Sequence, residues 1–106
     1  MYSYFHIKTD CLSNTWDTTE ILHFLRLQDI FVEKPQGIFV CQTPFITVSL
    51  MKIKNINSWS SFDFDSIETN YISIVTTEIS QEHPRIQKIF CDFENLLGFR
   101  VCQEES

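Results

Sequence analysis

The chain has 106 residues and a formal net charge of −6, from eight Lys and Arg against fourteen Asp and Glu. A domain of that length can hide roughly 65% of the surface its unfolded chain exposes, so residues 1–106 are read as one domain around one core. The bases are scattered and form no stripe able to follow a phosphate backbone, which argues against direct nucleic-acid binding and favours a cationic partner.

Residues 2 to 8 alternate, with Tyr2, Tyr4 and His6 on one face and Ser3, Phe5 and Ile7 on the other, and predict a first strand with either face inward. In the polar stretch that follows, Asp17 and Glu20 have the spacing of a capping box, so a helix begins there. Ile21, Leu22, Phe24 and Leu25 give it an apolar stripe, and it should expire near Gln28. Trp16, just before the cap, fits a hydrophobic staple. From Ile30 the pattern becomes extended on both sides of EKPQG, where Pro35 and Gly37 suit the turn of a hairpin. The run FITVSLMKI then puts Ile46, Val48 and Leu50 on one face of a long strand, and NYISIVTTE, with Ile72 and Ile74, predicts a central one. Pro84 suits a first helical position, Ile86, Ile89, Phe90, Phe93 and Leu97 recur at helical spacing, and Gly98 ends the second helix. Phe99 to Val101 reads as a short last strand, followed by a fraying QEES. The expected fold class is α+β: a mainly antiparallel sheet of about five to six strands with two helices packed on it.

The ten Phe, abundant Ile and absence of Ala predict a bulky, strand-rich interior. Cys11, Cys41, Cys91 and Cys102 are widely spaced, without a CxxC pair or histidines at zinc-finger spacing, and the N-terminus lacks the pattern of a signal peptide. Reduced thiols in the cytoplasm are the expectation, with Cys91 and Cys102 as small hydrophobes in apolar patterns. No segment has the roughly 20 apolar residues that span a bilayer, so no membrane partner is expected.

Catalytic signatures are lacking. His6, His23 and His83 come with no nucleophile elbow, Gly-rich phosphate loop or HExxH, and a thiol pair of Cys11 with His6 or His23 is the minimum an enzyme reading could use. The reading is therefore of a non-enzyme without cofactor or metal. Asp63, Asp65 and Glu68 could offer oxygens to a hard cation, but the central Gly and twelve-residue register of an EF-hand are missing.

The segment 57 to 70, NSWSSFDFDSIETN, carries the densest signal. Trp59, Phe62 and Phe64 alternate with polar residues and stand among Asp63, Asp65 and Glu68. Leaving such rings in water forgoes roughly 1.5–3 kcal/mol each, so a compensating contact is required. Either they fold back as a packed loop, or they anchor a basic protein partner inside an acidic rim. The helix near residues 17 to 28 and the hairpin at Pro35 are the other candidate contact surfaces.

YFHIKT, CQTPFITVSL, WSSFDFDSIETNYISIVTTE and IFCDFENLLGFRV, which together cover most of the chain, resemble in style the immunity proteins of bacterial contact-dependent growth inhibition systems. That resemblance implies a cytoplasmic protein that binds one cognate toxin domain, often a nuclease with a basic active site, and occludes it stoichiometrically. Its carboxylates would imitate phosphates, with Trp59, Phe62, Asp63, Phe64, Asp65 and Glu68 as first contacts. The alternative is a small-molecule-binding or regulatory module whose ligand enters between sheet and helices, with the 57 to 70 segment as a lid.

Overall fold

The computed structural model describes residues 1–57 and 63–104. Six strands form one antiparallel sheet: β1 (Tyr2–Lys8), β3 (Val32–Lys34), β4 (Ile38–Gln42), β5 (Phe45–Met51), β7 (Tyr71–Thr77) and β8 (Cys102–Gln103). Their order is β3-β4-β5-β7-β1-β8, which places β7 between β5 and β1 in the interior of the sheet, as its Ile-rich pattern predicts. A separate two-stranded ribbon joins β2 (Trp16–Asp17) to β6 (Glu68–Thr69). Helices α1 (Thr18–Arg26) and α2 (Pro84–Leu97) complete an α+β fold, with a 3-10 turn at Ser80–Glu82 before α2.

Alternation decides which face of the sheet the helices cover. Phe5 and Ile7 of β1, Ile46, Val48 and Leu50 of β5, and Ile72 and Ile74 of β7 are buried with Phe39 and Cys41 of β4. Against them pack Ile21 and Leu25 of α1 and Ile86, Ile89, Phe90, Phe93 and Leu97 of α2, which is the stripe read from the sequence. Each fully buried side chain of this size contributes about 1.5–3 kcal/mol, so this layer is what holds the fold together. Among the described residues the opposite face of the sheet carries no helix, and at one end of it Met51 and Tyr71 are buried with Ile53 and Leu12.

The helix ends follow local chemistry. Asp17 accepts the Thr19 backbone N–H at 2.9 Å, satisfying one of the donors that α1 leaves unpaired. His83 caps α2 through Nδ1, which accepts from the Arg85 N–H at 3.1 Å, and Pro84 follows at the first helical position. Gly98, at φ 76°, closes α2 in the left-handed conformation. Trp16 packs on the core, meets Phe99 edge to face at 5.7 Å, and donates its indole N–H to the Leu97 carbonyl. It thereby ties the start of α1 to the end of α2.

Three expectations need correction. The last strand is Cys102–Gln103, because the Val101 N–H is taken by Glu94 of α2 at 2.8 Å and residues 99–101 serve as the return from helix to sheet. Cys91 and Cys102 are exposed: Cys91 falls beside the buried stripe of α2, and Cys102 pairs with His6 at the sheet edge. Helix α1 stops at Arg26, with Leu27 as its cap.

Candidate interaction surface

The described part of the segment singled out in the sequence, residues 63–70, is held to the scaffold through its polar groups. Trp59 and Phe62 lie outside the described residues. Asp63 accepts the Lys52 N–H through its backbone carbonyl at 2.8 Å, and it lines an outer cavity of about 480 Å³ together with Leu12, Ser13, Lys52, Ile53 and Lys54. Phe64 is half-buried: it packs on the core and also lines that outer cavity. Its ring lies so close to Gly37 that a Cβ on that residue would come within 2.5 Å of Cδ1 and Cε1. The missing side chain of the hairpin glycine is the slot that receives it.

Asp65 and Glu68 are brought together by a turn. One Asp65 oxygen, Oδ1, accepts the backbone N–H groups of both Ile67 and Glu68 at 2.8 Å, and these bonds hold its carboxyl below the usual range. Glu68 receives the Lys52 ammonium at 2.7 Å and the Thr15 hydroxyl at 2.8 Å, which lower its pKa in that order of importance, and the bond with Glu68 in turn raises the pKa of Lys52. Both carboxylates are therefore ionised and oriented while still in contact with solvent.

Beneath them lies a buried polar seam that sequence periodicity does not register. Thr18 and Thr69, both fully buried, share a hydroxyl hydrogen bond at 2.7 Å, and the Thr18 hydroxyl also reaches the Asp65 carbonyl at 2.9 Å. Asn70 donates to the carbonyls of Leu12 and Ile53 and accepts the Ile53 N–H. These bonds satisfy a side chain with no exposure. The only sequence signal was a run of Thr and Asn at a point where the alternation of the next strand had not begun.

The ribbon sets Asp17 directly opposite Glu68 and so extends the acidic edge onto α1. One turn further along, Glu20 lines a groove with Thr19, His23, Phe24, Leu27 and Leu96. The groove measures about 600 Å³ and its wall is largely apolar. Leu27 is 69% exposed and Leu96 41%, while Ile67, beside Asp65 and Glu68, is 73% exposed. These three aliphatic side chains were not among the expected anchors, because single apolar residues at a helix end or in a turn carry no pattern. Asp65, Glu68 and Asp17 thus stand near one another with the Lys52 ammonium bonded to Glu68 among them, and Glu20, one turn beyond Asp17, edges the groove.

Other proposed sites fare differently. Cys11 lies 3.0 Å from the Ser13 hydroxyl, which lowers its thiol pKa, whereas His23 faces the outer groove and His6 lies beside Glu104. No hydrogen bond joins the thiol to either histidine among the described residues. The middle of the space between sheet and helices is filled by Phe39, Phe93 and the buried Ile and Leu side chains, and a cavity of about 310 Å³ opens at its edge between Phe5 and Gln103 of the sheet and Phe90, Cys91 and Glu94 of α2. Among the described residues no helix is long and apolar enough to cross a membrane. Comparison of the chain with protein-family models, characterised proteins and solved structures found no match.

Proposed function

We propose that this chain is a cytoplasmic immunity protein that neutralises a cognate basic toxin domain, in the expected case a nuclease, by binding it stoichiometrically and covering its substrate-binding surface. The observation that carries this reading is the continuity of the apolar groove at Phe24, Leu27 and Leu96 with the carboxylates of Glu20, Asp17, Glu68 and Asp65. Aliphatic and aromatic anchors beside an ordered acidic row suit a cleft built for phosphates: the groove excludes water, and the carboxylates occupy the anion positions. Asp63, Asp65 and Glu68 keep the contact role expected of them. Phe64 both supports their loop and, with Trp59 and Phe62 of the same stretch of sequence, supplies the aromatic contacts expected of it.

The test is titration of the purified chain with the basic domain encoded beside its gene. A tight complex with 1:1 stoichiometry is expected, with affinity falling steeply as salt is raised and loss of toxin activity in proportion to complex formed. Leu27→Asp and Glu20→Lys together should weaken binding by at least about tenfold, with the melting temperature nearly unchanged because both side chains project from the fold. Absence of a complex, or a complex indifferent to these substitutions and to salt, would overturn the reading.

A further inference from the structure

The face of the sheet turned away from the helices has its own chemistry. Cross-strand pairing aligns Val32, Val40, Thr47, Val75 and Tyr4 in a single row across β3, β4, β5, β7 and β1. Val32 is 59% and Tyr4 49% exposed, and the three between them are half-buried. At one end of the face Tyr2 is 56% exposed, its ring 5.6 Å from that of Phe45. In a chain of net charge −6, none of the residues that β1, β3, β4, β5 and β7 turn to this face is Asp or Glu. Two carboxylates stand at its β1 and β8 edge among the described residues: Glu104, beside β8, and Asp10, which lines a shallow cavity there with His6, Lys8, Arg100 and Cys102.

Glu104 is fixed there. It accepts the Tyr71 hydroxyl at 2.7 Å, its N–H is bonded to the Tyr4 carbonyl at 2.8 Å, and its Oε1 lies 3.2 Å from His6 Nδ1. The contact with His6 has an ion pair's distance and not a hydrogen bond's geometry. Lys34 stands at the opposite edge, in the row that runs through Ile38, Ser49 and Ser73 to His6.

We infer that this face binds a second copy of the chain, in an isologous sheet-on-sheet dimer whose two-fold axis runs along β5. Turning the face over on itself about that axis lays β3 over β1 and β4 over β7, so Val32 meets Tyr4, Val40 meets Val75, and Thr47 lies near its own mate. The same operation brings Lys34 over the His6 and Glu104 corner, twice by symmetry, so the charges at the two edges are complementary. Two chains of like charge repel each other when they approach through surfaces rich in carboxylate; this face, nearly free of it, is where the repulsion is least. Five strands at about 4.8 Å spacing, with two to four outward residues each at about 6.6 Å, cover roughly 20 by 15 Å, Met51 and Tyr71 at one end being already buried. Such a patch is smaller than the roughly 800 Å² per partner of a standard interface, so the association expected is a weak, concentration-dependent one. The acidic band of the proposed toxin contact lies on the ribbon and α1, so the dimer leaves it open.

Sedimentation of the intact chain across a wide concentration range tests this. A mass of two chains at high concentration is expected, with Tyr4→Lys shifting the equilibrium to single chains while the circular dichroism spectrum is retained. Lys34→Glu should weaken association at least about tenfold by placing like charges together at both edges, and adding Glu104→Lys should restore it. A single-chain mass at every concentration, a dimer indifferent to Tyr4→Lys, or a Lys34→Glu defect that Glu104→Lys does not repair would overturn the inference. Protection of this face from hydrogen exchange by the basic domain alone would assign it to that partner instead. Failure of toxin binding with an intact dimer would leave this inference standing.

Discussion

At the scale of single residues, the most constrained contact is the one between Gly37 and Phe64. Gly37 sits at φ 71°, where an L side chain is strained by about 1–2 kcal/mol, and any Cβ there meets the Phe64 ring and stands 3.3 Å from the Leu50 Cβ. Gly37→Ala should therefore lower stability by about 2–4 kcal/mol, the sum of backbone strain and overpacking. In a Phe64→Ala background the same change should cost only the backbone part. A denaturant-based double-mutant cycle reads the difference as a coupling of at least about 1 kcal/mol, and additive effects would show that the ring and the turn do not touch. Phe64→Ala alone should destabilise the fold, which makes it a poor probe of surface binding. The sequence marked Gly37 as a turn residue and Phe64 as an aromatic in need of a contact; it contained no hint that each meets the other's requirement, since they are far apart along the chain.

At the scale of elements, the β2 and β6 ribbon decides how the acidic row behaves. The carboxyls of Asp65 and Glu68 are lowered from reference values of 3.8 and 4.5. Their contribution to stability is accordingly present above those unfolded values and lost as the pH falls through the lower, folded ones. The urea midpoint should stay level at neutral and weakly acidic pH and drop below about pH 4, and the combined change Asp65→Asn with Glu68→Gln should reduce the steepness of that drop. An unchanged acid limb would remove these groups from the account. Long elements were legible beforehand: α2 announced itself through Pro84, Gly98 and five apolar positions at helical spacing. The two-residue strands were not, because a period needs several repeats before it can be read. Phe99 to Val101 was misassigned for a related reason, since alternation over three residues cannot reveal that Glu94 intercepts the chain.

At the scale of the whole molecule, the layered fold sorts the cysteines and separates the surfaces. Cys41 is buried in the core, whereas Cys11, Cys91 and Cys102 are exposed. Alkylation of the native chain followed by mass spectrometry should add three labels, with Cys11 modified early because the Ser13 hydroxyl favours its thiolate, and a fourth should appear only on unfolding. Labelling of Cys41 in the native state would show that the core opens. The same layering leaves three distinct exteriors: an acidic ribbon, an apolar groove along α1 and α2, and a neutral sheet face. Composition foretold the charge, but the side of the molecule that carries it depends on which strand face the helices cover.

The sequence by itself determined the class of fold, the interior set of Ile, Leu and Phe, both helix starts and the central place of β7, because each follows from local periodicity or from a cap within a few residues. Only the tertiary structure decided that β1 turns Phe5 and Ile7 inward, that Phe64 enters the slot at Gly37, and that Asp17 faces Glu68. These are choices between alternatives of nearly equal local free energy. They are settled by contacts between segments distant in the chain, where close packing admits one arrangement and leaves the others with voids or buried polar groups lacking a partner.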